Sequence, residues 1–344
     1  MMNHRWKRYD IMMALIMSVA LTQACTTPAL EQRQPRDLVR LKVNAGPFMS
    51  NSALFIAQEE GYFAEQGLEV ELSRLSTREV IAAVGQGDID VAAGAITISA
   101  LNSMVKGTHM AIVAEKGYYD PATCGSESLV ARSNLVANGE LDHHAQIEGM
   151  RIAYRQVTVE GYVLDQFLSP VGLTFDDIEQ VDIPTVAELE ALQKGSLDIV
   201  ATTEPWVTRM VASGAGVVYV SFQDVVPNFQ NAVVYFGPTL IEGHPNAGRR
   251  FMIAYLKAVR QYNQGKTERN LEIIAEYTGL ERELLEDVCL PTLRDDGQIN
   301  IQSVLDFQVW AVEKGYLDST VAEDQFWDPS FVEYANEVLE ASSQ

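Results

Sequence analysis

The feature that most constrains the fold of this chain is a segment that occurs twice. Residues 77–94 read TREVIAAVGQGDIDVAAG, and residues 185–202 read TVAELEALQKGSLDIVAT. Each copy has a Thr at the predicted helix N-cap, apolar residues at helical spacing, and a Gly that ends the helix, Gly87 or Gly195. An Asp then leads into a short apolar strand. The copies are too far apart for a solenoid, so they predict two similar α/β lobes.

Length and charge limit the kind of protein. The 344 residues are 47% apolar, which is enough for two domains with cores of their own. The formal net charge of −22 argues against a nucleic-acid partner, because such a protein needs a basic face to neutralise phosphates. It also weighs against electrostatic docking on anionic lipid.

The N-terminal segment has the pattern of an export signal. Residues 1–24 combine a basic start with an apolar core at 11–21 that is too short to span a bilayer comfortably. Cys25 follows Ala24, as at a bacterial lipoprotein processing site, although Leu21 lies one place earlier than usual. We expect an exported protein, held at the outer face of the cell membrane or in the periplasm by a lipid on Cys25. Residues 25–37 would form the tether; simple secretion with cleavage nearby is the alternative.

The cysteine pattern supports neither a zinc site nor a disulfide scaffold. Cys25, Cys124 and Cys289 are the three cysteines of the chain, and their spacing is not that of metal ligands. If Cys25 carries the lipid, Cys124 and Cys289 could pair or remain as two buried thiols.

The rest of the chain alternates between predicted strands and helices. Strand and helix patterns alternate from Leu38 to about residue 120 and again from Leu129, as in parallel-sheet lobes. Ala232 to Phe236 is predicted to be the last strand of the second lobe. From Asn246 onward the pattern is almost entirely helical.

Several motifs together resemble one family. They are the segment GYFAEQGLEV at 61–70, the two Gly-x-x-Asp strands of the repeat, Glu204-Pro205-Trp206, and the helical RFMIAYLKAV at 250–259. Over residues 38–315 the chain resembles the substrate-binding proteins of ABC importers, in the class that includes sulfonate, nitrate and thiamine-pyrimidine-precursor binders.

The resemblance implies an α/β fold of two lobes, the type II-like periplasmic-binding-protein fold. Each lobe would have a mainly parallel sheet flanked by helices, with a helical C-terminal region. Lobe 1 would comprise residues 38–120 and 238–344, and lobe 2 residues 121–237, with crossings near 117–127 and 236–240. The implied partners are an ABC permease and its ATPase, and we expect a monomer.

Ligands of open α/β sheets bind outside the carboxyl ends of the strands. This rule points to the loops at 44–52, 94–98, 154–161 and 202–206, together with the crossing at 118–119. The predicted ligand-binding residues are Asn44, Phe48, Asn51, Ser52, Ile96, Thr97, Tyr118, Tyr119, Tyr154, Arg155, Thr158, Glu204 and Trp206.

Charges on these loops favour a neutral or weakly cationic ligand over an anion. Glu160 would occupy the helix N-terminus where an anion is otherwise stabilised, and Glu204 would add to the repulsion. Arg155 is the one cation nearby in the sequence, and it could simply pair with either Glu.

Aromatic residues on the loops suit the flat faces of a heterocycle, although aromatics at such positions also pack into cores. We therefore expect a heteroaromatic nutrient, either a pyrimidine thiamine precursor or a flavin-like vitamin such as riboflavin. A sulfonate or nitrate binder and a two-lobed ligand sensor are the alternatives.

The sequence offers no catalytic motif. None of the five histidines lies beside a Ser or Cys nucleophile at a predicted strand end, and no phosphate-loop or zinc-protease pattern occurs. We expect no enzyme activity, no cofactor and no metal site.

Overall fold

The computed structural model describes residues 38–342, without the side chains of Thr77, Arg78 and His144. The predicted signal peptide at 1–24, Cys25 and the tether at 25–37 lie outside the described residues.

Ten strands form two five-stranded sheets. The strands are β1 (Val39–Ala45), β2 (Leu68–Ser73), β3 (Val91–Ala95), β4 (Ala111–Tyr118), β5 (Glu127–Arg132), β6 (Arg151–Ala153), β7 (Glu179–Val181), β8 (Ile199–Thr203), β9 (Gly216–Ser221) and β10 (Gln230–Phe236). The first sheet has the order β2-β1-β3-β10-β4 and the second β7-β6-β8-β5-β9. One strand in each, β10 or β5, runs antiparallel to both its neighbours. The predicted class, two mainly parallel sheets flanked by helices, is confirmed.

Helices follow the strands and cover the sheets. They are α1 (Ser52–Glu59), α2 (Tyr62–Glu65), α3 (Thr77–Gln86), α4 (Ile98–Val105), α5 (Ser133–Ala137), α6 (Val159–Leu168), α7 (Thr185–Gln193), α8 (Trp206–Ala212), α9 (Phe222–Val225), α10 (Pro245–Tyr262), α11 (Glu268–Thr278), α12 (Arg282–Leu285), α13 (Ile301–Glu313), α14 (Glu323–Phe326) and α15 (Ser330–Ala341). Phe63 is buried between α2 and α10, where it stacks on Phe251. Among the described residues, no helix is both long and apolar enough to span a bilayer.

The two repeat copies form the same unit in both sheets. α3 leads into β3, α7 leads into β8, and Gly87 and Gly195 have positive φ after each helix, as predicted. The predicted N-caps are wrong by one residue, because each Thr is the first helical residue. Ser76 caps α3 through a capping box with Glu79, and the extended backbone of Pro184 precedes α7.

The Asp of each copy binds the first parallel strand of its own sheet. The backbone N–H of Asp90 donates to the Lys42 carbonyl at 3.0 Å, and the Lys42 N–H donates to Asp90 Oδ2 at 2.8 Å. Asp198 and Arg151 make the same pair of bonds at 2.9 and 3.0 Å. This shared interaction sets β3 beside β1 and β8 beside β6 in matching positions.

The chain passes between the sheets twice, at residues 119–126 and 222–229. The first passage lies within the predicted crossing. The second does not, because the strand predicted to end the second lobe, β10, lies in the first sheet between β3 and β4. All seven residues of β10 are buried, as a central strand requires, and this pattern does not indicate which sheet it joins.

The C-terminal helices pack against elements of both lobes. Helices α10 and α15 pack on the first sheet's side, whereas α13 packs on α6, where Asp165 accepts hydrogen bonds from Trp310 Nε1 at 2.9 Å and Lys314 Nζ at 2.7 Å. Cys124 and Cys289 form a disulfide that joins the first crossing to this region. Of the two arrangements that the sequence left open, the structure has the paired one.

Loss of the disulfide is expected to lower the free energy of unfolding. The bond spans 165 residues, and a closed loop of that size stabilises a protein by about 2–5 kcal/mol through the entropy of the unfolded chain. Urea denaturation with and without reductant measures this difference. The Cys124→Ser/Cys289→Ser double variant is the control and should respond to neither condition; equal stability of the oxidised and reduced wild type would contradict the prediction.

Candidate functional site

The carboxyl ends of the parallel strands of the two sheets face each other. The Met49 N–H donates to the Glu204 carbonyl at 3.4 Å, and Thr97 forms an isolated bridge with Thr158. The four loops chosen from the sequence therefore meet in one place, with the crossing at 119–126 along one side. We call this region the interlobe surface.

Residues of the loop at 44–52 mainly shape the loop itself. Asn44 binds the backbone of Leu75, with its Oδ1 accepting from the Leu75 N–H at 2.6 Å, and Ser52 Oγ donates to the Met49 carbonyl at 2.6 Å. Phe48 lies against Gly46 so closely that a Cβ at Gly46 would be 2.6 Å from its ring. Glycine is required there for Phe48 to keep its half-buried position.

Asn51, in the same loop, is only partly satisfied. Its Nδ2 donates to the Gly46 carbonyl at 2.8 Å, while its Oδ1 is buried and has no hydrogen-bond partner among the described residues.

The loop at 94–98 is closed by packing and capping. Ile96 is fully buried, and Thr97 caps α4 by accepting from the Ala100 N–H at 3.2 Å. Ile96 has no polar side-chain group, and the Thr97 hydroxyl also bonds Ser99 Oγ at 3.0 Å, although both residues lie where the two loop sets meet.

The two tyrosines of the crossing point to different neighbours. Tyr118 lies under the Arg294 guanidinium, 3.7 Å from ring centre to Cζ, and donates to Asp120. Tyr119 is buried and donates from Oη to Glu127 Oε2 at 2.6 Å. Of the two, Tyr119 bonds across the crossing, to the first residue of β5.

Arg155 is paired twice. Its guanidinium donates to Glu160 Oε1 at 2.8 Å and to Glu188 Oε1 at 3.2 Å, and it also bonds the Thr185 hydroxyl. Glu160 Oε2 accepts from the Arg155 N–H at 2.9 Å, which places the carboxylate at the start of α6. The pairing with Glu160 is the one considered from the sequence, whereas the second partner is Glu188 and not Glu204.

Three other predicted residues, on the loops at 154–161 and 202–206, bond to or pack against other groups of the protein. Thr158 caps α6, and Tyr154 is buried and stacks on Phe175 with ring centres 5.6 Å apart. Glu204 is buried and turned toward α8, where it accepts from the Thr208 N–H at 3.0 Å and from the Cys289 N–H at 3.2 Å.

Trp206 remains partly exposed. It packs on the smaller hydrophobic cluster behind the second sheet, with the Arg209 guanidinium 4.7 Å from its ring centre. Phe48 directly precedes Met49, and Trp206 lies two residues after Glu204, so both residues are close in sequence to the Met49–Glu204 contact between the two loops.

Two of the predicted residues, Asn51 and Tyr119, belong to a group of buried and half-buried polar residues beside the crossings, and sequence reasoning missed the other four. We call Ser50, Asn51, Lys116, Tyr119, Glu127 and Asn231 the hinge cluster. Lys116 Nζ donates to Ser50 Oγ at 2.7 Å, and Asn231 Nδ2 donates to Glu127 Oε1 at 2.7 Å. The signal that could have found it is two consecutive charges, Glu115-Lys116, inside an otherwise apolar strand.

Burial changes the acidity of these groups. It raises the pKa of Glu127 to about 6 and that of Glu188 to about 7, and it lowers the pKa of Lys116 to about 8. Burial also raises the pKa of Glu160, against the opposing effect of Arg155. The interlobe surface and the residues beside it therefore carry four acidic groups, Glu127, Glu160, Glu188 and Glu204, and two basic ones, Lys116 and Arg155, all partly or wholly removed from water.

Among residues 38–342, no group of three or more His, Cys, Asp or Glu side chains is arranged to hold a metal ion. The chemistry that the interlobe surface offers is hydrogen bonding by carboxylates, amides and an ammonium group, beside two partly exposed rings.

Comparisons with known proteins agree with this architecture. The model of the NMT1-like family matches residues 34–277. The fold is similar to that of the periplasmic nitrate-binding protein NrtA from Synechocystis PCC 6803, with a TM-score of 0.72 and 14% identity over 88% of this chain and 90% of that one. It is also similar to the alkanesulfonate-binding protein SsuA from Xanthomonas axonopodis pv. citri, with a TM-score of 0.69 and 14% identity over 85% and 99%.

A desulfurization enzyme, DSZB, has a similar fold as well, with a TM-score of 0.62 and 16% identity over 88% of this chain and 100% of that one. At such identities these likenesses show the fold alone. One related sequence is the bicarbonate transport ATP-binding protein CmpC of Synechocystis sp., 27% identical over 246 residues. That match covers 66% of this chain but only 35% of the longer protein.

The family match and the structural neighbours confirm the resemblance to the class of ABC-importer substrate-binding proteins.

Glu188 should make stability depend on pH. Its pKa in the folded protein, about 7, lies above the usual 4.5, so its contribution is fully present at low pH and is lost as pH rises through 7. Glu188→Gln removes this titration and can still bond Arg155 and Thr202. We expect the difference in unfolding free energy, variant minus wild type, to rise by ~1–3 kcal/mol from about pH 5 to about pH 8, because only the wild type loses stability over this range.

Chemical denaturation across this pH range measures the effect. Glu190→Gln is the matched control on the same helix, since Glu190 is exposed and its pKa is lowered by Lys194. A Glu188→Gln variant with the wild-type pH profile would refute the assignment.

Proposed function

Because this chain belongs to the NMT1-like family, we propose that it is the solute-binding component of an ABC importer and that it captures a small, neutral heteroaromatic nutrient. A pyrimidine thiamine precursor or a flavin-like vitamin would bind at the interlobe surface and be delivered to a permease and its ATPase. Ligand binding would favour the closed arrangement of the two lobes, without chemical change.

The main observation in favour of a neutral ligand is that a carboxylate already occupies the N-terminus of α6. In a helix start that binds anions, unpaired N–H groups face the ligand. Here Glu160 already places a carboxylate there, and Arg155 is neutralised by Glu160 and Glu188. A second anion at this position would meet repulsion without a free cation to compensate it.

Phe48 and Trp206 support a flat ligand. Both are partly exposed, and both lie within two residues of the Met49–Glu204 contact in the sequence. Aromatic faces of this kind bind heterocycles by stacking. Of the other aromatic candidates, Tyr119 and Tyr154 are buried, and the ring of Tyr118 is covered by the Arg294 guanidinium, so these rings would contribute less.

One observation favours the second candidate, a sulfonate or nitrate type of anion binder. Lys116 is a buried ammonium group with Ser50 Oγ as its hydrogen-bond partner, and no carboxylate among the described residues lies within ion-pair distance of it. An anion could bind there, although Glu127 lies close enough to oppose it. A two-lobed sensor that presents its closed form to a partner protein is a third use of the same fold.

We propose no enzymatic role, despite the similar fold of DSZB. Both cysteines among the described residues are bonded to each other, so neither offers a thiolate nucleophile. The disulfide also suits an exported protein, because such bonds persist in oxidising compartments.

Replacing Trp206 by Ala should weaken binding of the ligand by ~1–3 kcal/mol, the range for a stacking residue. Titration calorimetry with riboflavin and with 4-amino-5-hydroxymethyl-2-methylpyrimidine measures it, preceded by thermal-shift screening that includes taurine and nitrate. Tyr334→Ala, at an exposed ring on α15, is the control. If taurine or nitrate stabilised the protein and neither heterocycle did, a heterocyclic ligand would be excluded.

Lipid attachment at Cys25 is tested separately. We expect wild-type protein to partition into the detergent phase of a cell extract and Cys25→Ser to move to the aqueous phase, since an acyl chain supplies the membrane affinity. Thr26→Ser serves as the control. Aqueous partitioning of the wild type would indicate secretion with simple cleavage.

A further inference from the structure

The hinge cluster contains polar atoms that the protein leaves unsatisfied. Asn51 Oδ1 and Asn231 Oδ1 are buried acceptors with no partner among the described residues. Lys116, 2% exposed, has three N–H donors and bonds Ser50 Oγ with one of them. Buried groups without partners cost free energy, and a ligand that supplies the missing partners would remove that cost.

The unsatisfied groups lie close together. Asn51 follows Ser50, which accepts the Lys116 hydrogen bond. Asn231 Oδ1 lies beside Gly117, 3.2 Å from the point where a Cβ would be. The two free acceptors therefore flank the strand segment that carries the free donor.

Other bonds hold these groups in their orientation. Asn51 Nδ2 donates to the Gly46 carbonyl, and Asn231 Nδ2 donates to Glu127 Oε1. Glu127 is held in turn by the Tyr119 hydroxyl. Each amide thus commits its N–H side to the protein and leaves its oxygen free.

Lys116, Asn51 and Asn231 do not satisfy each other. A ligand that completes the cluster must present one acceptor to Lys116 and N–H donors to the amide oxygens. We propose that the hinge cluster recognises a neutral edge with an acceptor beside N–H groups, as in a lactam, an imide or an aminopyrimidine.

This inference rests on the proposed function and narrows it. A simple anion would satisfy Lys116 but would leave both amide oxygens without donors. A wholly aromatic hydrocarbon would satisfy none of the three groups. Specificity for the edge follows from the cost of leaving buried polar groups unpaired.

The experiment uses matched pairs of probes on the full chain. Lumiflavin is compared with 3-methyl-lumiflavin, and 4-amino-5-hydroxymethyl-2-methylpyrimidine with its 4-dimethylamino analogue. We expect the N-methylated member of the pair that binds to be at least about tenfold weaker in calorimetry, because it lacks the N–H donor.

Variants locate the effect. Lys116→Met should lower the affinity for the unmethylated probe at least about tenfold. Lys106→Met, at an exposed lysine of the same lobe, should leave this affinity unchanged. Without ligand, Lys116→Met should raise the melting temperature by about 2 °C or more, because it removes a buried charge. A lysine with a purely structural role would instead lower the melting temperature when replaced.

The outcomes separate the two proposals. Equal binding of parent and methylated probes, or wild-type affinity in Lys116→Met, overturns the role of the hinge cluster and leaves the heterocycle-binding function intact. Binding of taurine or nitrate alone overturns both the proposal of a heterocyclic ligand and the proposal that the hinge cluster recognises its polar edge. Absence of binding by any of these probes also overturns both.

Discussion

The paired hydrogen bonds between an Asp and the first strand of each sheet are the constraint on which the rest of the structure depends. Asp90 and Asp198 each bond both the N–H and the carbonyl of a residue in the neighbouring parallel strand, Lys42 or Arg151. They align the strand that follows the repeated helix with its parallel neighbour, β3 with β1 and β8 with β6. With this register set, the strand ends finish at one edge, and the loops that leave them converge.

Convergence of loops was predictable from the sequence, whereas the orientation of their side chains was not. The repeated helix–strand unit and the carboxyl-end rule together located the interlobe surface. Glu204 nevertheless turns toward α8, because the Thr208 N–H and the Cys289 N–H offer it donors there. Tyr154 packs on Phe175. Such choices depend on partners that are distant in the chain, and no local pattern encodes them.

Lys116 and Asn231 illustrate a second limit of sequence reasoning. They lie within or at the start of buried strands, where a pattern of apolar residues predicts only core. Their importance arises from the neighbour each strand acquires, β10 between β3 and β4. Proteins that share this backbone can therefore differ in the charges at a helix N-terminus. One can leave its N–H groups open to an anion, and another can place a carboxylate there, as Glu160 does in this chain.

The position of β10 has a consequence for the order in which the fold is assembled. Every strand of the second sheet lies between residues 127 and 221, but the first sheet stays incomplete until residue 236 is available. Until then β3 and β4 have no partner between them, and their unpaired edges are open to other chains. A polypeptide that emerges from its N-terminus therefore exposes the edges of β3 and β4 until β10 has also emerged.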